Sequence, residues 1–123
     1  MTSALALQAT RFTAVNVLTP ASKADTAAAT SAWIDISAYD GPIIFVVRSG
    51  ALTGSMAAKI RTATDSSGTG AADVKTVTTI STADQTQLHV INSDACASHI
   101  AFVGTVTTGP IILDVVMLVL NQY

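Results

Sequence analysis

The chain has 123 residues, enough for one domain that buries about two thirds of its unfolded surface and needs no disulfide or metal to do so. Half of the residues are apolar, 11% are charged, the net charge is −2 and glutamate is absent. Six scattered basic residues exclude the basic patch that nucleic-acid binding requires, and one cysteine excludes an internal disulfide.

Residues 1–7 lack the charged start and sustained apolar run of a signal peptide, which predicts synthesis in the cytoplasm without export. The longest apolar run, residues 111–120, is interrupted by Asp114 and falls short of the roughly 20 residues that span a bilayer, so no membrane association is expected. The charged fraction is well under the usual quarter or so of a globular domain. Either Thr and Ser stand in for charges on a free monomer, or much of the surface is covered by neighbouring subunits. The second reading is the expectation adopted here.

In chain order, residues 1–10 are small, apolar and non-periodic, and read as an N-terminal arm with Leu5 and Leu7 as its anchors. The domain is expected over residues 11–123. Alternation begins at residues 11–18, with Phe12, Ala14, Asn16 and Leu18 on one side and Thr13, Val15 and Val17 on the other. Residues 19–32 carry alanines but no apolar stripe, so a loop is favoured over a helix. Residues 33–37 form a short strand, and Tyr39-Asp40-Gly41-Pro42 reads as a turn. Ile43, Phe45 and Val47 then oppose Ile44, Val46 and Arg48, the pattern of a central strand with apolar residues on both faces. After a Gly-flanked loop at residues 49–54, the return strand sorts Met56, Ala58 and Ile60 inward and Ser55, Lys59 and Arg61 outward.

Residues 65–70 are a turn cluster, and residues 74–80, 86–92 and 99–107 read as three more strands. Thr108-Gly109-Pro110 makes the last turn before the strand at residues 111–120. A strand so apolar on both faces would aggregate unless paired or covered. About eight mainly antiparallel strands at this spacing predict an all-β fold, a single-domain β-sandwich or jelly roll preceded by the arm.

Candidate chemistry is thin. His89, Asp94, Cys96 and His99 lie close in sequence, but one cysteine falls short of the paired spacing of a zinc site, and Cys96 reads as a small buried apolar residue. Asp65-Ser66-Ser67-Gly68-Thr69 lacks the further acidic ligands of a calcium loop. Gly68-Thr69-Gly70 lacks the third glycine and the strand-to-helix setting of a dinucleotide site. Eight scattered aspartates offer no catalytic pair. No enzyme activity, cofactor or metal is expected. The candidate interface residues are Leu5, Leu7, Phe12, Trp33, Tyr39, Arg48, Asp114, Met117 and Tyr123. Trp33 and Tyr39 are candidate amphipathic anchors, with core placement an equal alternative for Trp33, and Arg48 is a candidate charge partner for Asp114.

Ile34-Asp35-Ile36-Ser37-Ala38-Tyr39-Asp40-Gly41, the Val-rich residues 43–47, Leu52-Thr53-Gly54 and the turn Asp65-Ser66-Ser67-Gly68 together resemble a group of small tailed-bacteriophage virion proteins. The hairpin at residues 103–110 is similar too. The chain departs from that pattern in lacking an aromatic after Gly68 and in having Ser98-His99-Ile100-Ala101-Phe102 where an Arg/Tyr-rich strand is usual. The resemblance implies a head decoration (cement) protein on the capsid surface of the virion. Its expected partners are other copies of itself, as a homo-oligomer of trimer type, and the phage major capsid protein. A head-completion or tail structural protein, or a carbohydrate-binding β-sandwich, are the alternative expectations.

Overall fold

The computed structural model describes residues 12–121, so the expectations on the arm, on Leu5 and Leu7 and on Tyr123 fall outside the described residues. Nine strands follow one another. They are β1 (Phe12–Lys23), β2 (Ala28–Thr30), β3 (Ile34–Asp35), β4 (Tyr39–Leu52), β5 (Ser55–Ala63), β6 (Ala72–Ile80), β7 (Thr86–Asn92), β8 (His99–Thr108) and β9 (Ile111–Asn121). Among the described residues the one helical piece is a single 3-10 turn, Ser93–Ala95, so no helix covers either sheet.

The strands form two antiparallel sheets, one ordered β1-β9-β4-β7 and the other β2-β8-β5-β6, with β3 also pairing β8. The fold is all-β, a β-sandwich whose strand order, with β2 and β3 taken as one interrupted strand, is that of a jelly roll. Ser31 bridges the interruption. Its amide donates to the Phe102 carbonyl at 2.9 Å, and its Oγ accepts the Phe102 amide at 3.0 Å, so the ladder continues through a side chain.

The two sheets meet over an apolar core. From β4 come Ile43, Phe45 and Val47, and from β9 come Ile111, Leu113, Val115, Met117 and Val119. They pack against Met56, Ala58 and Ile60 of β5 and Ile100, Phe102 and Val106 of β8. Each such side chain contributes about 1.5–3 kcal/mol on burial, so the five from β9 supply on the order of 10 kcal/mol, as much as the whole net stability of an ordinary domain. The inward set expected on the return strand, Met56, Ala58 and Ile60, is the observed one.

Three local expectations are corrected. Residues 19–32 are not one loop: β1 runs on to Lys23 and β2 follows at Ala28–Thr30. Pro20 is tolerated because β1 is an edge strand, and the register slips between Leu18 and Ala21 around it. An earlier slip, between Asn16 and Leu18, turns Leu18 toward the core, away from the side shared by Phe12, Ala14 and Asn16. Finally, Tyr39-Asp40-Gly41-Pro42 is not the turn. It lies inside β4 at a register shift between Tyr39 and Ile43, where Gly41 takes φ +89°. The chain reverses just before it, where Asp35 Oδ1 accepts the Ser37 amide at 2.9 Å and the Tyr39 amide donates to the Ile36 carbonyl at 3.0 Å.

Candidate functional site

Residues paired directly across neighbouring strands share a face, so the register of the β1-β9-β4-β7 sheet defines what it shows to the outside. Phe12 stands beside Leu120. The next row is Ala14, Leu118, Ile44 and Val90, and the one after it Asn16, Val116, Val46 and Leu88. Asp114, Arg48 and Thr86 form a fourth row, and Ile112 closes the face. Leu88 is 66% exposed, Val90 55%, Ile112 44% and Phe12 38%. Between them Leu118, Ile44, Val116 and Val46 are half-buried by one another.

The other sheet shows what a solvated face of this chain looks like. Outside β5 and β6, Asp73 receives hydrogen bonds from Lys59 at 3.0 Å and Arg61 at 2.8 Å. Around that ion-pair pair lie exposed Ala57, Thr76, Thr105 and Thr30. One outward face therefore mixes charge and threonine with alanines and Val103, and the other is dominated by branched aliphatics.

The apolar face has one charged row. Arg48 and Asp114 are register partners on adjacent strands, yet among the described residues the ion pairs are those of Asp73, and none joins these two. Asp114 Oδ1 is buried and has no hydrogen-bond partner among the described residues. A carboxylate oxygen in that state costs stability unless something donates to it.

The sequence-derived interface residues separate into two groups. Phe12, Arg48 and Asp114 are brought onto the apolar face. Met117 is not: it is fully buried among the core residues of β9, because alternation turns it inward between Val116 and Leu118, which do face out. Trp33 and Tyr39 are half-buried and lie elsewhere. Trp33 packs beneath the 65–70 turn, where a Cβ on Gly68 would come within 2.8 Å of its indole nitrogen, and Tyr39 leans on the core. Ile44, Val46, Leu88 and Val90 were not singled out from sequence. The signal was there in β4, apolar on both faces. In β7 it was hidden, because Leu88-His89-Val90-Ile91 gives no polar residue that marks the outside.

The groups with chemical potential are absorbed by the fold. His89 is buried, and its Nε2–H donates to Gln87 Oε1 at 2.8 Å while Gln87 Nε2 donates to the Thr78 carbonyl at 3.1 Å, tying β7 to β6. Burial, with Lys75 nearby, holds its pKa below the ordinary 6.5. Burial raises the Cys96 thiol, away from the thiolate that a nucleophile needs. Hydrogen bonds from the Thr69 side chain first, then from the Thr69 amide at 3.2 Å and the Ser67 amide at 2.9 Å, lower the Asp65 pKa and satisfy it within its own turn. Among the described residues no three His, Cys or Asp side chains gather as metal ligands. No protein-family model and no curated protein sequence matches the chain.

Proposed function

We propose that this chain is a structural subunit that acts by association, and that the particle it joins is the head of a tailed phage, which it decorates as a cement protein. One observation carries the reading. The outward side of the β1-β9-β4-β7 sheet is an aliphatic surface with one charged row, while the opposite sheet is dressed for water. At about 4.8 Å between strands and 3.3 Å per residue, the face from Ile112 to Leu120 covers roughly 500 Å² with its charged row included, and apolar patches of a few hundred Å² on soluble proteins commonly serve contacts. Its cover is another protein.

The jelly roll by itself is shared by capsid proteins, lectins and enzymes, so the fold does not choose among them. The likeness of residues 33–54 to small phage virion proteins supports the phage head, and the low charge supports a surface that works in contact rather than free. A cement protein contributes to shell stability by binding only the assembled lattice, which mass action then favours over its dissociated parts. In this reading the capsid contact comes from the 1–10 arm. Co-sedimentation with expanded heads tests it: the full chain binds to saturation at lattice stoichiometry, and a chain lacking residues 2–10 binds at least tenfold more weakly. Saturation at a few copies per particle would reassign the chain to head completion or the tail. No binding to heads or tails would overturn the phage reading.

A further inference from the structure

We propose that the aliphatic face is covered by the same face of a second copy, related by a two-fold axis that runs parallel to the strands between β9 and β4. The inference concerns the free chain and stands apart from the identity of the particle.

The face is complementary to itself under that operation and under few others. Aligned sheets pack about 10 Å apart with their strands within roughly 30° of parallel. The two-fold then lays β9 of one copy over β4 of the other and β1 over β7, and keeps each row opposite itself. In the two middle rows, Val90 and Leu88, which stand furthest out on β7, meet the smaller Ala14 and Asn16 of β1. Large opposes small at both edges, and Leu118 and Val116 meet Ile44 and Val46 at the centre.

The charged row selects this axis over its rival. With the axis parallel to the strands, Asp114 of each copy lies over Arg48 of the other, closing two reciprocal ion pairs. Each joins the exposed Arg48 of one copy to the carboxylate of the other, charges that form no ion pair among the described residues of their own chain. With the axis across the strands, each strand lies over itself, so Asp114 would land on Leu120 and Arg48 near Pro42, burying both charges unpaired. Two faces of roughly 500 Å² bury about 1,000 Å², where specific interfaces begin. A dimer, rather than the trimer that the family resemblance suggests, is the assembly these residues specify.

The test uses R48D and D114R. Alone, each variant places like charges opposite one another and is expected to show half the wild-type mass by light scattering. Mixed in equal amounts, the two restore opposite charges at both contacts, and the mass doubles again. Pairing within one chain cannot produce that result. Wild-type chain of single mass, variants that stay dimeric alone, or a mixture that stays monomeric would each overturn the proposal. If either variant loses its β-sheet circular dichroism, V90K decides. It changes a residue already 55% exposed, so the fold is retained. A halved mass supports the interface, and an unchanged mass overturns it.

Discussion

His89 illustrates how a residue that looks chemical in sequence becomes structural. In the sequence it stands with Asp94, Cys96 and His99, which invites a ligand or nucleophile reading. In the fold it faces the core and donates to Gln87, and its neutral form is the favoured one. Its folded pKa is lowered, so below about 6.5 the unfolded chain takes up the proton first. Stability contributed by neutral His89 is therefore fully present above that pH, falls as pH drops through it, and levels off below the folded pKa. The lowered carboxylates of Asp35, Asp65 and Asp73 act in a separate window, below their ordinary 3.8. Thermal melts between pH 7.5 and 5 should show a falling Tm in the wild type and a flatter profile in H89Q. Equal slopes would remove His89 from this role.

Gly68 provides a second check at this scale. Its φ is +83° and a Cβ there would press on the Trp33 indole, so G68A should cost about 1–3 kcal/mol in denaturant unfolding. The 65–70 turn was legible as a turn from its Asp, Ser and Gly residues. That Trp33 lies beneath it was not, because a contact between residues so far apart leaves no local trace.

At the scale of elements, strand patterning was readable wherever the two faces differ. The β5 alternation of Met56, Ala58 and Ile60 against Lys59 and Arg61 placed its inward set correctly. It failed where both faces are apolar, as in β7 and β9, since the period of two is then invisible. Bulges were also beyond reach. The slips in β1 and at Gly41 in β4 redirect side chains without changing composition. The two faces of β9 separate in a paired experiment. M117A, which empties a core position, should cost about 2–5 kcal/mol of stability. V116T, one residue away and facing out, should change the stability of the monomer by less than about 1 kcal/mol and instead weaken association. Chemical unfolding monitored with light scattering at fixed concentration separates the two, and comparable effects of both variants on the monomer would contradict the assignment of faces.

For the whole molecule, low charge and abundant aliphatic residues announced a covered surface, but only the sheet order shows where it is. The jelly roll gathers Ile44, Val46, Leu88, Val90, Val116 and Leu118 from three strands distant in sequence onto one exterior. It leaves the charge cluster of Lys59, Arg61 and Asp73 on the other. The most direct measurement of this division is hydroxyl-radical footprinting of the native chain, read residue by residue by mass spectrometry. Leu88 and Val90, the most open aliphatic residues of the isolated fold, should be modified as slowly as the core residues Leu113 and Ile91. Modification of Leu88 and Val90 at the rate of freely exposed side chains would mean that the aliphatic face is bare and that association does not cover it.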